Sequence, residues 1–97
     1  DYKNSSYGIY KFAFYATAIN SVTIPEKVNY IGLLAFESCT DLKNVVFEDP
    51  YGWGYLNYNR YEISAEALKD SVNAAELLGG GTFNLSNYAT NTWTKEP

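Results

Sequence analysis

The first half of the chain repeats itself, and this repeat constrains the fold more than any other feature of the sequence. Residues 9–14 (Ile-Tyr-Lys-Phe-Ala-Phe) align with residues 31–36 (Ile-Gly-Leu-Leu-Ala-Phe) at an offset of 22 positions. Residues 19–24 then align with residues 42–47 at an offset of 23. A unit that recurs with such a period indicates a stack of similar turns, each burying its apolar face against the next.

Each copy contains a four-residue segment, 21–24 or 44–47, whose second and fourth residues are apolar. A period of two predicts a short β-strand with one buried face. Pro25 directly follows the first segment and ends that strand, because proline cannot donate to a strand ladder. The outward positions are then Ser21, Thr23, Asn44 and Val46, an uncharged set.

The return path between the strands carries the remaining apolar residues of each copy. Each path holds an Ala-Phe pair, in which the small residue permits close approach and the ring fills the interior. The single cysteine also lies there, and a buried small apolar residue is the favoured interpretation, because a reactive thiol needs exposure and a nearby cation. The predicted core of the repeats is Phe14, Val22, Ile24, Phe36, Cys39, Leu42, Val45 and Phe47.

The second copy reads Ile-Gly-x-x-Ala-Phe-x-x-Cys-x-x-Leu-x-x-Val-x-Phe over residues 31–47, and residues 22–32 read Val-Thr-Ile-Pro-x-x-Val-x-x-Ile-Gly. Both patterns resemble the BspA-type leucine-rich repeat and the join between its copies. The first copy departs from the pattern at Tyr10, where Gly is usual, and at Thr17, where Cys is usual. The resemblance covers residues 8–49 and implies two repeats of 22–23 residues, stacked as a short right-handed solenoid of β-strands.

The repeat stops at Tyr51, and the second half follows another pattern. Asp70 opens an apolar spacing at Val72, Ala75 and Leu78 that predicts a short helix, capped by Asp70 or Ser71 and ended by the glycines at 79–81. Residues 63–69 fit either a strand or more helix.

Aromatic residues follow the last glycine, and two tryptophans flank the helical segment. Trp53, Leu78 and Trp93 are predicted to belong to the core. Residues 48–53, 70–78 and 93–95 resemble the segment that follows the last repeat in BspA-like surface proteins. We therefore expect one α+β domain over residues 1–97, with a capping segment over residues 50–97 that covers the end of the stack.

Several classes of function find no support in the sequence. The net charge is −4, and the seven basic residues are scattered singly, so we expect no nucleic-acid partner. There is no histidine and one cysteine, and the carboxylates do not cluster, which argues against a metal site, a cofactor and an enzyme. No apolar run reaches the ~20 residues of a membrane span.

The ten tyrosines are the unusual part of the composition. Tyr51, Tyr55 and Tyr58 recur every three or four residues in a loop-rich stretch, so some of them are expected on the surface. Flat rings stack on sugars as well as on protein surfaces, and the sequence does not separate the two.

The leading functional hypothesis is a non-enzymatic binding or adhesion module that recognises a protein or glycan through Ser21, Thr23, Asn44 and Val46. One alternative is a purely structural cap of a longer solenoid, and another is a carbohydrate-binding accessory module that uses the three tyrosines. The resemblance further implies an extracellular location on a bacterial cell surface and upstream repeats in the parent protein.

Overall fold

The computed structural model describes residues 7–79 and 90–96, and this part of the chain combines β-strands with two short helices. The predicted α+β class is therefore correct. In chain order the elements are β1 (Tyr7–Ile9), β2 (Ser21–Ile24), β3 (Val28–Ile31), β4 (Asn44–Phe47), β5 (Trp53–Asn57), β6 (Asn59–Glu62), α1 (Ala65–Lys69), α2 (Ser71–Gly79) and β7 (Thr92–Lys95).

Strands of the two repeat copies pair with each other in parallel. β2 pairs with β4 in a register that places Ser21 opposite Asn44 and Ile24 opposite Phe47, an offset of 23 positions. β1 pairs with β3, where Ile9 lies opposite Ile31 at an offset of 22. The offset between the two sequence copies therefore equals the offset between paired residues of their strands. No strand is predicted from the sequence at β3, which occupies the join between the copies.

The loops between these strands also run side by side. The N–H of Phe14 donates to the carbonyl of Ala35 over 2.8 Å, and the N–H of Ala16 donates to that of Glu37 over 3.0 Å. Left-handed backbone recurs at equivalent places, with φ of 60° at Phe12 and 57° at Leu34, which are 22 positions apart. Neighbouring copies therefore share their backbone conformation as well as their side-chain pattern.

The last strand lies in the middle of the larger sheet, whose order is β1-β3-β7-β5-β6. β7 runs antiparallel to both neighbours, with Trp93 opposite Ile31 on one side and Tyr55 on the other. β5 and β6 form an antiparallel hairpin that turns at Tyr58, where φ is 67°. β7 thus joins a strand of the repeats to the hairpin of the C-terminal half.

The helical segment begins earlier than the apolar spacing predicts. Ser64 caps α1 by accepting a hydrogen bond from the N–H of Ala67 over 3.1 Å, so the helical alternative for residues 63–69 is the correct one. The carboxylate of Asp70 accepts from the N–H groups of Val72 and Asn73 at the start of α2. Val72 is exposed, and Ala74, Ala75, Leu77 and Leu78 form the buried face instead. Gly80 and Gly81 lie outside the described residues.

One core runs through both halves of the described chain. Of the predicted core residues, the structure buries Ile24, Phe36, Cys39, Leu42, Val45, Phe47, Trp53, Leu78 and Trp93. Phe14 and Val22 are only half-buried and pack against the core from its edge, because the second copy covers them on one side. Ile31, Ile63 and Leu68 add to this core and are absent from the prediction.

Candidate functional site

The outward face of the two-stranded sheet holds the four residues predicted to contact a partner. Ser21 lies opposite Asn44, and Thr23 lies opposite Val46. All four are exposed, and Val46 shows 49% of its surface to solvent. The structure thus brings them together in one flat patch two strands wide, which we call the β2–β4 face.

Helix α2 fixes one corner of the β2–β4 face. The hydroxyl of Ser71 donates a hydrogen bond to Oδ1 of Asn44 over 3.1 Å, so the first turn of α2 holds the amide in place. Two hydroxyls, one amide and one branched apolar side chain can hydrogen-bond and bury apolar area, but they bring no charge to the surface. Such a patch suits a partner surface that is itself largely uncharged.

The three predicted tyrosines do not form a common platform. Tyr55 is only 9% exposed, and the prediction of an exposed ring is wrong for this residue. It points to the inner face of β5, where it stacks on Tyr61 with ring centroids 5.2 Å apart. Tyr58 is exposed at the hairpin turn, and Tyr51 is exposed beneath Lys69, whose Nζ lies 5.2 Å from the ring centroid.

The two tryptophans are interior residues and not exposed platforms. Nε1 of Trp53 donates to the carbonyl of Asp49 over 3.1 Å, and its ring meets Phe47 edge-on at a centroid distance of 5.4 Å. Trp93 stacks against the same Phe47 ring at 6.0 Å. Phe47, the last residue of the repeat strands, therefore contacts both tryptophans of the C-terminal half.

A second exposed face has no counterpart in the sequence prediction. The register of the five-stranded sheet aligns one residue from each strand across its outer face, in the order Gly8, Tyr30, Thr94, Gly54 and Glu62. We call these residues, with Arg60, the outer row. The adjacent row faces the opposite side and runs Ile9, Ile31, Trp93, Tyr55 and Tyr61. The polar-apolar alternation of Thr92, Trp93 and Thr94 is the one sequence signal for it.

Arg60 is held flat on the outer row by several acceptors. Its Nη2 donates to the carbonyl of Gly52 over 2.6 Å and to that of Thr94 over 3.0 Å, and its Nε donates to Oγ1 of Thr94 over 3.3 Å. Nε also lies 3.5 Å from a carboxylate oxygen of Glu96. A Cβ atom at Gly54 would lie 2.7 Å from Cζ of Arg60, so the guanidinium occupies the space that a side chain would need.

An open cleft of about 340 Å³ lies beside the outer row. It is lined by Gly52, Trp53, Arg60, Glu62, Ile63 and Glu96. Two carboxylates and one guanidinium therefore meet at its rim, while Trp53 and Ile63 contribute apolar wall.

A smaller cleft of about 270 Å³ lies by Glu26, Lys27, Asn29, Lys95 and Glu96. Nζ of Lys95 is 2.6 Å from Oδ2 of Asp49 and donates to the carbonyl of Glu26 over 2.9 Å. The hydrogen bond from Lys95 is the main cause that lowers the pKa of Asp49, and the N–H of Tyr51 acts in the same direction. This ion pair ties the end of β7 to the end of the second repeat.

A match to a protein-family model decides which family the chain belongs to. The model described as "BspA type Leucine rich repeat region (6 copies)" matches residues 2–76, more than half of the chain. The chain belongs to the BspA-type leucine-rich repeat family. The match continues past residue 49 into α2, beyond the two predicted copies. No curated protein and no solved structure matches the chain.

Cys39, which occupies the cysteine position of the BspA-type pattern, forms a hydrogen bond to the loop of the preceding copy. Sγ of Cys39 is buried and donates to the carbonyl of Phe14 over 2.9 Å. Thr17, which occupies the cysteine position of the first copy, lies 3.6 Å from that sulfur and donates to the same carbonyl over 2.8 Å. Both residues thus satisfy one loop carbonyl, which is a structural role.

Nothing in the described ranges, 7–79 and 90–96, gathers three or more cysteine, aspartate or glutamate residues into a group that could hold a metal ion. Within the same ranges, none of the helices of this BspA-type chain is long and apolar enough to cross a membrane. As a repeat of this family, the chain has the architecture of a protein-interaction module.

Proposed function

We propose that this chain is part of a non-enzymatic adhesion module on a bacterial cell surface, and that the β2–β4 face contacts a protein partner. The observation that carries the proposal is the in-register pairing of Ser21 with Asn44 and Thr23 with Val46, all exposed on a buried support. Val22 and Val45 anchor the same strands from below. A rigid, uncharged patch of this kind loses little conformational freedom on binding.

The solenoid architecture is part of this proposal. The parallel pairs β1/β3 and β2/β4, and the matching loop conformations, support two successive turns of a right-handed stack. We place the two repeats at residues 8–49 and the closing segment at residues 50–97. Further turns upstream in the parent protein would extend the β2–β4 face by one strand each, about 4.8 Å per turn, and so enlarge the patch.

Charge placed on the β2–β4 face tests the proposal. Thr23→Arg and Val46→Arg put a long cation at the centre of the patch, in side chains that are already exposed. We expect each to weaken binding of the parent protein to immobilised collagen, laminin or fibronectin by tenfold or more, measured by surface plasmon resonance. Binding that both variants leave unchanged would contradict the assignment of this face.

The matched control is Val72→Arg, because Val72 is an exposed valine on α2 and not on the sheet. It introduces the same charge change away from the β2–β4 face. An equal loss of binding in this control would show that the effect is one of net charge, and the proposal would then lose its support.

A structural cap is the second candidate, and the position of β7 favours it. β7 pairs with β3 in the five-stranded sheet, while α2 packs against β4 and holds Asn44. An exposed strand edge is a site for unwanted pairing, and both contacts cover such an edge. If residues 1–97 fold but bind none of the three matrix proteins, while the parent protein does, the cap role is supported and the binding face lies upstream.

A further inference from the structure

We propose that the outer row of the five-stranded sheet, with the adjoining cleft, binds an uncharged polysaccharide. This site lies on the other sheet from the β2–β4 face and does not depend on the function proposed for that face. The Tyr30 ring, the Arg60 guanidinium and the carboxylates of Glu62 and Glu96 are its recognition groups.

Two glycines let two planar groups lie against the sheet. A Cβ atom at Gly8 would lie 2.9 Å from Cδ2 of Tyr30, so the absence of a side chain makes room for the ring. A Cβ atom at Gly54 would likewise lie 2.7 Å from Cζ of Arg60, so the absence of a side chain makes room for the guanidinium. Tyr30 and Gly54 are two strands apart in the row, a separation of about 10 Å. The sheet therefore presents two flat groups ~10 Å apart, a distance that about two linked sugar rings can span.

Charge at the row disfavours strongly charged ligands. Glu62 and Glu96 repel a polyanion, and because Arg60 already faces Glu96, the charged residues that line the cleft sum to a single negative charge, which holds a cation weakly. Arg60 is also committed to Gly52, Thr94 and Glu96, so it offers an anion few remaining donors. An uncharged ligand avoids both penalties, and a hydroxyl-rich one supplies donors for the two carboxylates.

Shape and apolar content then favour a sugar chain over an uncharged protein surface. Tyr30 is 38% exposed and Leu56, also on the outer face, is 41% exposed, so apolar area is presented as separate spots and not as one patch. A pyranose ring offers a small apolar face edged by hydroxyls, which matches an aromatic ring next to hydrogen-bonding groups. The cleft of about 340 Å³ is large enough to receive one such ring.

Binding of three soluble uncharged polysaccharides, xyloglucan, mannan and dextran, tests the proposal with residues 1–97. Retardation in native gels identifies a bound polymer, and titration calorimetry measures its affinity. We expect at least one polymer to bind, Tyr30→Ala to weaken that binding about tenfold, and Glu62→Gln to weaken it less, because Gln still accepts a hydrogen bond. Heparin is the anionic reference and is expected not to bind, whereas polylysine reports nonspecific attraction to the net charge of −4.

Tyr15→Ala is the matched control, because Tyr15 is 45% exposed but lies in a loop outside the sheet. Near-ultraviolet circular dichroism checks that Tyr30→Ala is folded; if it is not, Glu62→Gln decides, and unchanged binding in that variant contradicts the proposal. The proposal is also overturned if none of the three polymers binds, if Tyr15→Ala weakens binding equally, or if only heparin or polylysine is bound. Loss of matrix-protein binding in Tyr30→Ala, without polysaccharide binding, would assign the face to a protein partner instead.

Discussion

Phe14 and Phe36, 22 positions apart in the sequence, stack with ring centroids 5.1 Å apart and planes 14° from parallel. Each ring comes from the Ala-Phe pair of its own repeat copy. Beside the stacked rings, the backbones of the two loops are joined by a hydrogen bond from the N–H of Phe14 to the carbonyl of Ala35. The sequence repeat is thus expressed as direct contact between equivalent side chains.

Burial separates the two rings and predicts different costs for removing them. Phe36 is 1% exposed, whereas Phe14 is half-buried at the edge of the core. We expect Phe36→Ala to lower the free energy of unfolding by about 3–5 kcal/mol. Phe14→Ala should cost on the order of 1–2 kcal/mol, because part of its surface is already in water. Urea unfolding measures both, and equal costs would contradict the edge position of the first copy.

The sequence predicted the repeats well because their physics is local and periodic. The alternation of polar and apolar residues at Ser21–Ile24 and at Asn44–Phe47 predicts two strands. Because the two segments occupy equivalent positions in successive copies, they are expected to lie next to each other. Cys39 could be assigned to the core because a cysteine is usually a buried small apolar residue unless exposure and a nearby cation make its thiol reactive. The β2–β4 face followed directly, since alternate residues of a strand point to opposite sides.

The second sheet could not be predicted, because its pairing is between segments far apart in the chain. Tyr30 on β3 lies opposite Thr94 on β7, 64 positions away, and nothing in either four-residue segment specifies the other. The wrong prediction of an exposed Tyr55 has the same cause, because the partner of its strand is also far away in the chain. Its spacing from Tyr51 and Tyr58 fits an exposed loop, and only the pairing of β5 with β7 turns its ring inward.

Gly52 is predicted to resist substitution because of its backbone conformation and its neighbour. Its φ is +86°, and a Cβ atom there would clash with the carbonyl oxygen of Glu96. Gly52→Ala should therefore destabilise the protein by ~2 kcal/mol or more, since the strained backbone and the clash act together. Tyr51→Ala, which alters the exposed neighbouring side chain, is the control. Equal thermal midpoints for Gly52→Ala and the unaltered protein would contradict this prediction.

The Lys95–Asp49 ion pair predicts a specific dependence of stability on pH. Because Lys95 holds the pKa of Asp49 below its ordinary value, the ionised carboxylate is favoured in the folded state. Its contribution to stability is complete above the unfolded-state pKa of about 3.9 and is lost as the pH falls through the lower folded-state value. Asp49→Asn should therefore lower the urea midpoint at pH 7, and the difference from the unaltered protein should shrink below about pH 4.

Glu66→Gln is the control for that prediction, because Glu66 forms an exposed ion pair with Lys69 on α1, where its carboxylate lies 3.7 Å from the ammonium nitrogen. Exposed pairs of this kind contribute little. A midpoint difference for Asp49→Asn that persists unchanged to pH 2 would mean that the asparagine perturbs the fold in some other way.

Ser64 is predicted to set the start of α1. Its hydroxyl accepts from the N–H of Ala67, and without it the first turn of a five-residue helix loses its cap. Ser64→Ala should cost about 1 kcal/mol, whereas Ser64→Asp should be close to neutral because aspartate is an equally good cap. Urea unfolding of the two variants checks this, and an identical loss in both would show that the capping bond contributes nothing.

We expect the repeats and the C-terminal half to unfold as one cooperative unit, because β7 lies between β3 and β5. The most direct test compares urea unfolding of residues 1–97 with that of residues 1–89 by far-ultraviolet circular dichroism and tryptophan fluorescence together. The fluorescence comes from Trp53 and Trp93 in the full chain and from Trp53 alone in residues 1–89. For the full chain the two signals should change at one midpoint. For residues 1–89, Trp53 should emit at longer wavelength before urea is added, and the cooperative transition should be lost. A truncated chain that keeps buried Trp53 emission and unfolds at the same midpoint as the full chain would contradict the claim.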